Sequence, residues 1–206
     1  MEQGSDEWKA IRLGKVTASR VADVVAKTKT GWSASRANYR AQLVAERLTG
    51  ILGESYTNAA MEWGVATEAE AREAYCFYQN TDVEQIAFAQ HPTIAMSGAS
   101  PDGLIGTNGL VEIKCPNTAT HIETLLGKSV PGKYALQMQW QMACTDRSWC
   151  DFVSYDPRMP EDLRLFVKRL ERDEETIAGL SGAIVEFLQE VDETIAALNT
   201  AYRRAA

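Results

Sequence analysis

Histidine is nearly absent from this chain: His91 and His121 are the two among 206 residues. That is too few for the imidazole-rich sites that zinc and copper favour. The four cysteines, Cys76, Cys115, Cys144 and Cys150, fall in no C-x-x-C pair, which argues further against zinc. No apolar run approaches the length of a membrane span, and the opening M-E-Q-G-S-D-E-W lacks the basic-then-apolar layout of a secretory leader. Unpatterned cysteines without a leader fit reduced thiols and a cytoplasmic protein. Repeats, low-complexity tracts and linkers are also missing. What is present in quantity is ordinary core material, 45% of the residues being hydrophobic. That suffices for one well-buried core over residues 1–206, read as a single domain, and not comfortably for two.

The net charge of −7 is unfavourable for nucleic-acid binding, but its distribution is uneven. Residues 1–50 hold nine Lys or Arg against five Asp or Glu, a balance of +4, so residues 51–206 carry −11. A basic face on an acidic body can hold a phosphate backbone locally while the body repels nonspecific DNA. The alternative is that Lys9, Lys15, Lys27 and Arg36 merely solvate helix surfaces.

One stretch carries chemistry: S-P-D-G-L-I-G-T-N-G-L-V-E-I-K, ending at Lys114. Ile94 to Ala99 and Leu110 to Lys114 read as short strands, with Asn108-Gly109 supplying the positive-φ residues of a tight reversal. Side chains alternate along a strand, so Glu112 and Lys114 share one face while Ile113 turns to the core. A strand ending at Asp102 would bring its carboxylate beside Glu112. Two carboxylates so placed repel unless a cation lies between them, and all-oxygen ligands suit Mg²⁺ or Mn²⁺. Taken alone, Glu112 and Lys114 also fit a solvated ion pair, and Asp102 a turn residue after proline.

Periodicity predicts helices from Ser19 to Ala26, Arg36 to Leu48, Met61 to Phe77 and Lys133 to Cys144, the last burying Leu136, Trp140 and Ala143. Strands follow at Trp149 to Tyr155 and Leu165 to Leu170. A long helix from Glu174 to Leu198 carries an apolar stripe suited to covering the core or a subunit contact. This order gives an α/β fold with a mixed central sheet flanked by helices.

Five segments in one order give a resemblance spanning nearly the whole chain. They are W-K-A-I-R-L-G-K-V-T-A-S from Trp8, M-E-W-G-V-A-T-E from Met61, S-P-D-G followed by V-E-I-K-C-P, A-L-Q-M-Q around Gln137, and S-Y-D-P-R-M from Ser154. Together they resemble the viral alkaline exonucleases of the lambda-exonuclease type, which share the restriction-endonuclease-like PD-(D/E)xK core. The resemblance implies a processive, Mg²⁺-dependent 5′-to-3′ exonuclease, with Mn²⁺ as a substitute. Such an enzyme digests one strand of linear double-stranded DNA to mononucleotides and leaves a 3′ overhang. It further implies a homotrimeric ring, a single-strand annealing protein as partner, and a phage or prophage origin in a bacterial host.

Residue by residue, the resemblance makes Asp102 and Glu112 metal-binding carboxylates, Ile113 the donor of a metal-ligating carbonyl and Lys114 the catalytic lysine. Glu68 and Gln137 become further active-site residues. Arg12 would pair with the DNA 5′-phosphate, with Thr17 and Ser19 adjoining, and Trp8 and Met61 would meet the DNA end. Met61 would be a wedge between separating strands, although a core methionine reads equally well. Two ions sharing Asp102 would activate water and stabilise the leaving oxygen. For Lys114 to act as a base near neutral pH its pKa would have to fall by about 3, at a cost of about 4 kcal/mol; orienting the attacking water and offsetting phosphorane charge needs no such fall. Two other readings use the same residues: a restriction-type or structure-specific endonuclease, and a non-catalytic DNA-binding module.

Overall fold

The computed structural model describes residues 3–53 and 59–202, the side chains of 59–61 excepted. The chain opens with α1 (Asp6–Arg12), capped by the Ser5 hydroxyl, then β1 (Val16–Thr17), a 3₁₀ turn and α2 (Val21–Val25). The small hairpin of β2 (Lys27–Thr28) and β3 (Gly31–Trp32) leads to α3 (Ala34–Thr49), which ends on Gly50 in the left-handed conformation glycine adopts freely. After α4 (Ala59–Gln79) come β4 (Ala89–Gln90), β5 (Ser97–Ala99), β6 (Gly103–Ile105) and β7 (Gly109–Lys114). The chain closes with α5 (Thr118–Gly127), α6 (Gly132–Thr145), β8 (Trp149–Tyr155), β9 (Leu165–Glu171) and α7 (Glu174–Tyr202).

The central sheet has the order β6-β7-β8-β9, antiparallel at both ends and parallel between β7 and β8. It is mixed, as the pattern predicts. A smaller sheet, β1-β5-β4, lies beside it, with β1 parallel to β5. One face of the central sheet, Val111, Ile113, Val153 and Tyr155, packs on Ala71 and Tyr75 of α4. The other face, Leu110, Cys150 and Phe152, packs on Met138 and Met142 of α6. The opposite side of α6 places Trp140, Ala143 and Cys144 in a third cluster with α2, α3, α7 and the small sheet.

Every residue of α6 from Gln137 to Cys144 is therefore buried, a wider surface than the predicted stripe, because sheet and helices clasp the helix from two sides. The hairpin also differs from expectation. Ile94 to Met96 form a turn, and Ser97–Ala99 belongs to the small sheet. The strand that pairs with β7 is Gly103–Ile105, so Asp102 lies in the crossing from one sheet to the other. The positive φ of the reversal belongs to Gly106, at +48°, and not to Asn108-Gly109. Helix α5, ten residues long, has no counterpart in the predicted elements.

The basic excess of the first 50 residues is partly consumed by the fold. Arg36 and Arg40 pair with Glu190, and Arg47 with Asp192, tying α3 to α7. Arg20 pairs with Asp23 and Lys9 with Asp6. The expected basic face thus contracts, because cations spaced along α3 meet acids spaced along α7. Among the described residues, Lys27 and Lys29 on the exposed small hairpin have no carboxylate partner.

Candidate active site

The site forms where β7 outruns β6. Their pairing ends at Gly103 opposite Val111, leaving the last residues of β7 without a neighbour on that side. Asp102 takes the place of the missing strand: its Oδ2 accepts the Ile113 N–H at 2.6 Å. Within an extended strand a residue's N–H and C=O point to the same side, so the Ile113 carbonyl faces this open edge too. Its side chain goes to the core, as alternation requires.

Glu112 has no exposed surface. Its Oε1 accepts from Gln137 Nε2 at 2.6 Å and pairs with the Lys114 ammonium; its Oε2 accepts from Gln141 Nε2 at 2.5 Å. Burial and the neighbouring Glu112 push the Asp102 carboxyl well above the usual carboxylate range, against the pull of Lys114 and the Ile113 N–H. Burial acts to lower the Lys114 pKa, but Glu112 and Asp102 outweigh it and hold the ammonium above its ordinary value.

Glu68, on α4, joins this group from the other side: it, Ile113, Lys114 and Gln137 line one cavity of about 550 Å³. Ser19, Lys133 and Tyr134 border the same space. Glu68 also accepts from Arg72 at 2.6 Å and borders a second cavity of about 600 Å³ that includes Trp8.

The N-terminal candidates divide. The Arg12 guanidinium lies 4.0 Å over the Trp8 ring and donates to Ser100 Oγ at 3.0 Å. Trp8 Nε1 donates to the same hydroxyl and to the Ala87 carbonyl. Arg12 and Trp8 are thereby fixed to the residue two before Asp102. Burial lowers the Arg12 pKa, with Tyr39 and Glu46 opposing. Ser19 is exposed, whereas Thr17 is 6% exposed, its hydroxyl 3.4 Å from that of Ser19. Among the described residues no hydrogen bond joins either to Arg12. Helix α4 runs through Met61, but the Met61 side chain lies outside the described residues.

Two residues at the site escape the sequence reading. Ser100 is one, its S-P-D context having drawn attention only to the aspartate. Gln141 is the other, although its signal was present: glutamines at 137 and 141 sit one turn apart on a helix whose neighbouring residues are largely apolar, with Gln139 between them, and an unpaired buried amide is costly.

The residues fit a hard divalent cation. Two carboxylates crowd a buried corner where one raises the other's pKa, a main-chain carbonyl faces the same edge, and no imidazole is near. His91 stacks on Trp140 and His121 is held between Ser154 and the Leu163 carbonyl. The Cys115 thiol bordering the cavity is pushed up to about 12 by burial, with Glu68 and Asp102 adding. Among the described residues no three His, Cys, Asp or Glu side chains form a complete cage. A cation here would share the carboxylate pair with the Ile113 carbonyl, water and substrate oxygens.

Residues 7–148 match the profile of the YqaJ-like viral recombinase domain. The structure superposes on an alkaline exonuclease, LHK-Exo, from Laribacter hongkongensis with a TM-score of 0.89 and 50% identity, covering 96% of this chain and 97% of that one. The same enzyme in complex with dAMP gives a TM-score of 0.90 over the same shares at the same identity. A phage-related exonuclease from Haemophilus somnus, 15% identical, has a TM-score of 0.74 over 89% of this chain and 96% of its own, a likeness of fold. The ExoD protein of Escherichia coli is 30% identical over 69 residues, 34% of this chain and 78% of its own. The central sheet with its flanking helices is thus the PD-(D/E)xK nuclease fold.

Proposed function

The chain belongs to the YqaJ-like viral recombinase domain family, and from that membership we propose that it is a Mg²⁺-dependent exonuclease digesting one strand of linear duplex DNA from the 5′ end. The observation that carries this reading is the convergence of Asp102, Glu112, Lys114, Glu68 and Gln137 at the open edge of β7. Asp102, Glu112 and the Ile113 carbonyl would hold Mg²⁺, with Mn²⁺ as a substitute. When bound, the metal supplies Lewis acidity at the scissile phosphate and lowers the pKa of water.

The chain's own residues do the rest. Lys114, paired with Glu112, would offset the negative charge that develops on the non-bridging phosphate oxygens as water attacks. Gln137 borders the cavity and at the same time fixes one oxygen of Glu112. Glu68 adds a carboxylate whose other face is tied to Arg72, so it can orient a water without swinging away. Arg12, with Ser100 and the rim hydroxyl of Ser19, would engage the terminal 5′-phosphate through charge-assisted hydrogen bonds. Thr17 would support Ser19 from within. Trp8, already stacked on Arg12, gives an aromatic surface for the terminal base, and Met61 a wedge between strands.

By the same reading three copies form a ring around the duplex, and a single-strand annealing protein receives the 3′ overhang. The test is digestion of a linear duplex, with and without 5′-phosphate, beside a covalently closed circle. Release of mononucleotides from the phosphorylated 5′ end, with the circle intact, supports the reading. Cutting of the circle replaces it with an endonuclease, and DNA binding without hydrolysis in Mg²⁺ replaces it with a binding module.

A further inference from the structure

Gln141 reaches Glu112 from behind. It has no exposed surface and does not border the cavity that Gln137 lines. Its Nε2 donates to Glu112 Oε2 at 2.5 Å, while its own Oε1 is buried without a hydrogen-bond partner among the described residues. The amide cannot turn round to relieve this, since its oxygen would then face the carboxylate. A leucine or methionine at 141 would fill the same volume with no orphaned acceptor, but would leave Glu112 Oε2 bare in the core. A buried acceptor left unpaired is costly, and a hydrogen bond to a charged group is among the strongest a side chain makes. The residue therefore serves Glu112, at some expense to the packing of α6.

Two amides one helical turn apart then act on one carboxylate: Gln137 holds Oε1 and Gln141 holds Oε2. With both oxygens held, the carboxylate plane cannot rotate, and it is kept in one orientation beside Lys114 and Asp102. Resting on the reading of Glu112 as a metal ligand, we propose that Gln141 is a positioning residue that sets the divalent-cation affinity of the site by fixing the Glu112 carboxylate. Hydrogen-bonded partners behind a ligand commonly change metal affinity by tenfold or more.

The test measures Mn²⁺ binding by electron paramagnetic resonance, without DNA, for the wild type, Gln141→Met, Gln141→Asn and Glu112→Gln. Met keeps the volume and removes the donor; Asn keeps the amide and withdraws it by one methylene. Both Gln141 variants should bind Mn²⁺ on the order of tenfold more weakly, and cleavage should require correspondingly more Mg²⁺ while approaching the wild-type rate at saturation. Should the Met variant not fold, the Asn variant and its circular dichroism decide the question. Mn²⁺ affinity within about twofold of wild type in a folded Gln141 variant overturns the proposal and leaves Gln141 a packing residue. If Glu112→Gln binds Mn²⁺ as tightly as the wild type, Glu112 is not a ligand, and the reading beneath the proposal falls with it.

Discussion

Asp102 is the residue on which most depends, because it closes the ladder at Ile113 and faces Glu112 across the site. Asp102→Ala should abolish cleavage in Mg²⁺ or Mn²⁺ while DNA binding in Ca²⁺ persists, Ca²⁺ being larger and less demanding in geometry; robust cleavage by this variant in a gel assay would refute the metal site. Lys114→Ala should slow single-turnover cleavage by about a hundredfold or more with little change in DNA affinity. A loss of affinity at an unchanged rate would make Lys114 a phosphate contact only. Arg12 links the site to direction. Arg12→Ala should make digestion of phosphorylated ends slow and distributive, and wild-type protein on 5′-hydroxyl ends should behave alike. Each change removes one half of one interaction, so the two defects should not add. If the phosphate speeds the variant as much as the wild type, Arg12 is not the anchor.

At the scale of elements, the strands and helices with strong periodicity were legible in the sequence. β8, β9, α6 and α7 lie where alternation and helical spacing put them. The site was legible too as a cluster of residues, since E-x-K on a strand fixes which side chains share a face. Its assembly was not. Asp102 reaches β7 through a crossing between two sheets, and a local pattern carries no information about which sheet a strand joins. The Arg12–Ser100 contact, 88 residues apart in sequence, is hidden for the same reason. The small sheet that delivers Ser100 and Asp102 depends on Gly98. A methyl there would overlap the Phe88 ring and come within 2.6 Å of the Ala89 carbonyl oxygen, which is backbone and cannot move aside. Gly98→Ala should cost about 1–3 kcal/mol in urea denaturation and reduce cleavage, since β5 leads directly into the site. Gly182→Ala, in α7 with open space around it, should be stabilising by up to about 1 kcal/mol. Equal effects at the two positions would mean that β5 has room to relax.

For the whole molecule, the proposed ring makes a claim about mass. Sedimentation or light scattering should report about three times the 22.7 kDa chain, since one protomer covers a single side of a duplex and heterologous contacts close a ring. A stable monomer that digests long DNA without dissociating would sink the ring. The burial of α6 from Gln137 to Cys144 has a consequence of another kind. Its residues from Gln137 to Cys144 have one cluster of side chains above and another below, and both must part before solvent reaches the helix. Amide hydrogens there would exchange only through global opening, whereas those of α1 and the small hairpin could exchange through local fluctuations. The two glutamines that grip Glu112 thus stand on a helix expected to exchange slowly. The back wall of the site would hold its form until the fold itself gives way, so heating should extinguish catalysis and structure together.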